Sequence, residues 1–334
     1  MLAWLQFLFC VAVIGAAGYR LSLFGDVIAE KTGLGRSWTG LVLLASVTSL
    51  PELVTGISAV TAAAVPNIAV GDALGSCVFN LMLIVLLDFL HRGESVYTRA
   101  SVGHVLSAGF GTLLIGVVAF NILLGEKTIG MVIGHVGFYT PLILVLYVFA
   151  MRTVFRYEQR QIAAGTEVVA ARYPEMTLRN ALIGYLLASA VVVVAGTWLP
   201  FVGDELAARM GWSKTFVGTL FVAFATSVPE LAVTVAAWRI GALDMAIGNL
   251  FGSNLFDIAI IAVDDLAYLP GPLLAHVSPM HVVSAVSAMM MNGVAVVGLL
   301  YRPATRLFGA GGWASLLLVV IYLLNSMALF LHGD

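Results

Sequence analysis

Two short stretches place carboxylates where carboxylates are costly. Thr48-Ser49-Leu50-Pro51-Glu52 is followed by Gly71-Asp72, Gly75-Ser76 and Asn80; Thr226-Ser227-Val228-Pro229-Glu230 is followed by Gly248-Asn249, Gly252-Ser253 and Asp257. Apolar residues surround both. A carboxylate in such a setting needs a companion, and cations or protons are the companions at hand. Glu52, Glu230 and Asp257 offer hard oxygen ligands suited to calcium or sodium, and Asn80 adds a neutral carbonyl. Three carboxylates exceed the charge of one divalent ion, so the set can exchange that ion for several monovalent ions or protons. Pro51 and Pro229 each remove a backbone donor and free a carbonyl about one turn earlier, near Val47 and Ala225. Those carbonyls, with the hydroxyls of Thr48, Ser49, Thr226 and Ser227, extend the ligand set toward the roughly six to eight oxygens that calcium takes.

The elements that hold these residues must be membrane helices. The 334-residue chain is 61% hydrophobic and 10% charged, against about 25% charged in ordinary soluble domains. Apolar segments fall near 3–24, 39–62, 66–89, 101–123, 129–150, 179–200, 213–237, 243–267, 278–299 and 309–331. Each suits a helix crossing a hydrocarbon core of roughly 30 Å, and their continuity argues against barrel strands. The opening run has no basic start and no small-x-small cleavage site, so it reads as a retained span and not a signal peptide. Cys10 and Cys77 lie in apolar runs and read as small buried residues, not a disulfide. Ser76 and Asn80, like Ser253 and Asp257, are four residues apart and share a helix face. Gly71 with Gly75, and Gly248 with Gly252, have the small-x-x-x-small spacing of closely packed membrane helices.

The chain repeats itself. Gly40, Thr48, Pro51 and Glu52 recur 178 positions later as Gly218, Thr226, Pro229 and Glu230, and Ser76, Asn80 and His104 recur 177 positions later as Ser253, Asp257 and His281. A repeat of five spans is odd-numbered, so the second copy enters from the opposite side of the membrane. The expected fold is an all-α integral membrane protein of ten transmembrane helices in two inverted five-helix repeats. Residues 1–150 form the first repeat, 151–178 a linker and 179–334 the second repeat. Of the sixteen Lys and Arg residues, only Lys127, Arg209 and Lys214 fall on one side, leaving 16 − 3 = 13 on the other. The positive-inside rule therefore places the linker in the cytoplasm and both termini outside.

These residues resemble the sodium/calcium exchanger family of the cation/calcium antiporter superfamily, in its prokaryotic form. That family carries G-T-S-x-P-E followed by G-N-x-x-G-S-N-x-x-N/D in each of two repeats. Thr48, Ser49, Pro51, Glu52, Gly71, Gly75, Ser76 and Asn80 match the first copy. Thr226, Ser227, Pro229, Glu230, Gly248, Asn249, Gly252, Ser253, Asn254 and Asp257 match the second. The resemblance implies a central cation site at Glu52, Asn80, Glu230 and Asp257, helped by nearby serines, threonines and carbonyls, in a prokaryotic plasma (inner) membrane protein. The departures are Val47 and Ala225 for the usual glycine, Asp72 for an asparagine, and Cys77 for another. Asp72 adds charge or a proton site, and Cys77 reduces oxygen ligation.

The expected function is secondary antiport of calcium against sodium by alternating access, with a proton-coupled calcium or other divalent cation exchanger as the alternative. A channel could use the same ligands without stoichiometric exchange. No nucleotide-binding loop or nucleophilic triad is present, so neither enzyme activity nor a cofactor is expected. The partners are inorganic cations and membrane lipids, with no nucleic acid, and the sequence leaves the oligomeric state open. His104 and His281 read as helix-end or packing residues, with titration near physiological pH that modulates transport as the alternative; Asp88, Asp264 and Asp265 read as a solvated rim, with entry-path charges as the alternative.

Overall fold

The computed structural model describes residues 2–32, 47–91, 95–125, 132–163, 173, 175–239, 241, 243–303 and 311–333. Apart from one two-stranded ribbon, Val132–Ile133 paired antiparallel with Val136–Gly137, the described chain is helical. Its main helices are α1 (Leu2–Thr32), α2 (Leu50–Thr61), α3 (Pro66–Leu90), α4 (His104–Leu124), α5 (Tyr139–Ala163), α6 (Leu178–Met210), α7 (Lys214–Thr226), α8 (Val228–Arg239), α9 (Leu243–Ala267), α10 (His281–Tyr301) and α11 (Trp313–His332).

Among the described residues, eight helices are long and apolar enough to cross a membrane: α1, α3, α4, α5, α6, α9, α10 and α11. α7 and α8 together make a further span bent by 45°. The span expected over 39–62 is described only in its second part, since residues 33–46 lie outside the described chain. Two expected boundaries are corrected. The fifth span begins at Tyr139 and not near 129, because glycines at 134 and 137 punctuate an apolar stretch that forms the ribbon. α5 also runs on to Ala163, into the expected linker. α1 and α6, with 31 and 33 residues, reach about 46 and 50 Å at 1.5 Å per residue, so both overrun a hydrocarbon core. They pack along each other, and α6 turns Leu186, Leu187 and Val194 outward, each at least 65% exposed.

The centre belongs to α3 and α9. Their apolar windows are 67% and 89% buried, against 28% for α6 and α11. Contacts between them run in opposite senses, Cys77 meeting Asp257 and Asn80 meeting Asn254, so the two helices are antiparallel. Lipid supplies little drive for helices to associate, and close backbone approach does more of the work. A Cβ on Gly71 would stand 3.1 Å from the Gly218 Cα, and one on Gly75 would meet Thr219 backbone atoms at 2.7 Å or less. For Gly71 and Gly75 this is the packing that the small-residue spacing implied.

Asp88, Asp264 and Asp265 are not a solvated rim, because all three are 0% exposed. The Asp88 carboxylate accepts from Ser95 Oγ (3.2 Å), Val96 N (3.0 Å), Gly312 N (2.9 Å) and Ser315 Oγ (2.6 Å). Asp265 accepts from Leu273 N (2.6 Å), Gly137 N (2.9 Å), Thr140 Oγ1 (2.5 Å) and Tyr139 Oη (2.6 Å). Asp88 and Asp265 are 177 positions apart, and so are Val96 and Leu273. Each carboxylate ties the end of a central helix to the start of an outer one, and its burial is met by four donors. The internal repeat is therefore structural as well as sequential.

Candidate functional site

Both proline motifs break their helices in the same way. Ser49, just before α2, has φ −90° and ψ 16°; Ser227, between α7 and α8, has φ −83° and ψ 7°. These values lie in the sparsely populated bridge region, where chains often turn at functional sites. The prolines follow in the first turn of α2 and α8, where a missing N–H costs nothing. On the second copy the break is prepared by a wide π turn over Gly218–Val222. Glu52 and Glu230 then stand in the first turn of their half-helices. The unpaired N–H groups of a helix start favour a negative charge there.

The hydroxyls cross between the copies. Ser49 Oγ donates to Glu230 Oε1 at 3.1 Å, and Ser227 Oγ donates to Glu52 Oε1 at 3.2 Å. Ser227 Oγ also lies 3.0 Å from Ser76 Oγ, while Ser253 Oγ stands 3.5 Å from Glu230 Oε1 and 3.4 Å from Thr48 Oγ1. Thr226 Oγ1 donates to Asp72 Oδ1 at 2.8 Å. Asn80 Nδ2 donates to Asn254 Oδ1 at 3.1 Å, which leaves the Asn80 carbonyl oxygen free of protein partners. Glu52 Oε2, Glu230 Oε2, Asp257 Oδ1 and Asp72 Oδ2 are likewise buried without a protein partner.

Thr48, Ser49, Glu52, Asp72, Ser76, Asn80, Thr226, Ser227, Glu230, Ser253 and Asp257 are all 1% exposed or less. Among the described residues, no Lys or Arg is buried. The charges of Glu230, Asp257 and Asp72 reach Glu52, and those of Glu230 and Asp72 reach Asp257. Unbalanced charges in an apolar interior are prohibitive, so this group holds cations, protons or both. Among the described residues, no three His, Cys, Asp or Glu side chains gather closely enough to hold a metal ion by themselves, so carbonyls and hydroxyls have to complete any cation shell here.

Sequence reasoning placed Asn254 in the second motif but gave it no role; it clasps α3 by donating to the Cys77 carbonyl at 3.2 Å as well as accepting from Asn80. The signal was its alignment with Cys77, 177 residues earlier. The Cys77 thiol lies 3.7 Å from the Asn254 carbonyl oxygen and 3.9 Å from Asp257 Oδ2. Both cysteines are free and buried. His104 and His281 hold helix starts, as expected: His104 Nε2 is 3.1 Å from Asp244 Oδ1, and His281 Nε2 is 3.2 Å from Asn67 Oδ1.

The model of the family described as "Sodium/calcium exchanger protein" matches residues 2–157 and 180–331, which is most of the chain and includes every residue of the site. This chain belongs to the sodium/calcium exchanger protein family. The exchanger is a secondary-active cation antiporter and not an enzyme. It is 27% identical over 260 residues to the inner membrane protein YrbG of Escherichia coli (strain K12), covering 76% of each chain. It is 28% identical over 266 residues to the sodium/calcium exchanger MaX1 of Methanosarcina acetivorans, covering 71% of this chain and 74% of the relative. Among solved structures, the H+/Ca2+ exchanger CAX superposes with a TM-score of 0.72 at 15% identity, covering 98% of this chain and 86% of that one. The sodium-calcium exchanger NCX_Mj superposes with a TM-score of 0.60 at 22% identity, covering 98% of each. At these identities the superpositions speak for the fold alone, and one fold serves both names. The side chains of this exchanger must decide its coupling ion.

Proposed function

We propose that the exchanger moves calcium against sodium by alternating access, with Glu52, Asn80, Glu230 and Asp257 as the central cation ligands. Thr48, Ser49, Ser76, Thr226, Ser227 and Ser253 supply hydroxyls to the same place, and Asp72 adds charge beside it. The observation that carries this reading is the crossed pair, Ser49 to Glu230 and Ser227 to Glu52, which leaves one oxygen of each glutamate buried and unpartnered. Calcium occupies the centre with several oxygens. Sodium ions neutralise the same acids when calcium leaves. The test is initial calcium flux in proteoliposomes under imposed sodium, proton and potassium gradients, each varied alone. Flux that follows no counter-ion gradient would reject exchange in favour of a channel.

Asp72 favours a second reading, proton-coupled exchange of calcium or another divalent cation. It stands where the second copy has Asn249, and its Oδ2 is buried without a protein partner. Calcium uptake driven by a pH gradient at zero sodium, and lost in Asp72→Asn, would select this reading.

The architecture we propose is ten spans in two inverted five-helix repeats, residues 1–150 and 179–334, joined by a cytoplasmic linker over 151–178 into which α5 runs as far as Ala163. Both termini face outward from a prokaryotic plasma membrane. Antiparallel α3 and α9 and the matched breaks support the inversion, and the thirteen-to-three basic bias supports the orientation. Cysteines placed singly at Gln161 and Asp334 should label from opposite sides of the membrane. Labelling of both from one side would remove the ten-span arrangement.

A further inference from the structure

One buried acid belongs to neither the central cage nor the anchors. Asp264, on α9, is 0% exposed, and neither carboxylate oxygen has a protein partner. It lies seven residues beyond Asp257, about two turns or 10 Å along the helix. Because α3 runs antiparallel to α9, the same two turns lead back from Asn80 to Asp72, and the charge of Asp72 reaches Asp264. The Asp264 carboxylate rests on the backbone of Gly56 in α2: a Cβ there would stand 2.7 Å from Oδ1 and 2.9 Å from Cγ, closer than real contacts allow.

The repeat makes the arrangement one-sided. Position 264 corresponds to Leu87, position 56 to Thr234, and Asp72 to Asn249. Where one side of the centre has two acids and a glycine that gives one of them room, the other has leucine, threonine and asparagine. The fold thus tolerates an uncharged pair at this place. A carboxylate without donors is retained in apolar surroundings only where it meets a positive charge. No Lys or Arg is buried among the described residues. Asp265, the nearest acid on the same helix, is already met by four donors.

We propose that Asp264, seated on the backbone at Gly56, is a second cation station, off the central site and present on one side of it only. It takes one monovalent cation. One carboxylate and few other oxygens fall short of the larger shell that calcium takes. The single charge is a sodium ion or a proton, both of which a carboxylate accepts. This inference rests on the antiport reading above and adds to it an ion count that the central cage alone does not set.

The test is radiolabelled calcium binding to the full-length purified exchanger, with sodium raised at fixed pH in one arm and pH lowered at zero sodium in the other. In proteoliposomes, the reversal potential then reports the charge moved per cycle. Asp264→Asn should bind calcium within about twofold of wild type when sodium is absent. It should need about tenfold more of the one competing ion, sodium or proton according to the arm that responds. Its reversal potential should shift by one charge per cycle. The double substitution Gly56→Thr with Asp264→Leu installs the pair found at Thr234 and Leu87. It should behave the same way and guards against misfolding of the single variant. Unchanged competition and reversal potential in both variants would overturn the second station. Loss of calcium binding in both would also overturn it, by placing Asp264 in the central cage. Wild-type protein that binds no calcium, yet loses a monovalent cation with Asp264, would instead reject the central reading and keep this one.

Discussion

The two copies of the repeat agree in geometry and differ in charge. Ser49 and Ser227 turn the chain at nearly the same backbone angles, and Asp88 and Asp265 anchor their helices through matching donors. Ser101 N and Ser278 N donate to Asp244 and Asn67, which stand 177 positions apart. Yet Asp72 answers Asn249, Asn80 answers Asp257, Cys77 answers Asn254, and Leu87 answers Asp264. Alternating access needs two halves that can exchange conformations, which constrains backbone and anchors alike. Ion selection needs a particular number of charges at one place, and that number need not be shared equally.

The largest effect should come from the shared acids. Glu52→Gln and Glu230→Gln keep size but delete a charge, and each should reduce counter-ion-driven calcium uptake on the order of a hundredfold or more. Flux per incorporated protein in vesicles measures it. One glutamate variant with full flux would break the equivalence of the copies at the point where they are most alike.

Next come the anchors. Asp88→Asn and Asp265→Asn each leave donors facing a neutral oxygen or an amide, and each should cost about 2–4 kcal/mol of stability. Thermal unfolding in detergent would register this as a lower Tm in both, while calcium affinity of the folded fraction stays near wild type. A loss of affinity at unchanged Tm would reassign these acids to transport.

The asymmetric pair should show a smaller and more selective effect. Asp257→Asn makes the two copies alike with an amide at each, and should weaken calcium about tenfold while sparing part of the monovalent binding. Adding Asn80→Asp to that variant moves the carboxylate to the other copy. Recovery of calcium binding in the pair would show that the charge matters more than the copy that carries it.

The smallest effect belongs to the outer staples. His104 meets a carboxylate that is 57% exposed, whereas His281 meets the neutral Asn67. His104→Ala should therefore cost about 1 kcal/mol or less, and the cost should shrink as salt is raised. Calcium flux at equal incorporation should change little.

Much of this was legible in the sequence because polar landmarks held a fixed offset through apolar composition. That offset located the breaks, the glutamates and the Ser76/Asn80 and Ser253/Asp257 faces. Other features left no such mark. The ribbon at 132–137 is apolar like the helix after it, and hydropathy does not separate the two. The π turn at Gly218–Val222 packs its backbone against Gly71 and Gly75, a contact between distant segments that local sequence does not mark. Asp88 and Asp265 were misread because charges near a span end usually meet water, although their matching positions could have signalled a shared role. Asp264 was misread with them, and no repetition could correct it, because its counterpart is a leucine.

The crossed hydroxyls have one more consequence. Each glutamate is held by a serine from the other half of the chain, so neither half owns a complete ligand set. Affinity is a property of the pairing, and a fragment carrying one half would not keep half of it. At the site proposed above, a movement that draws the two breaks apart would loosen both glutamates together.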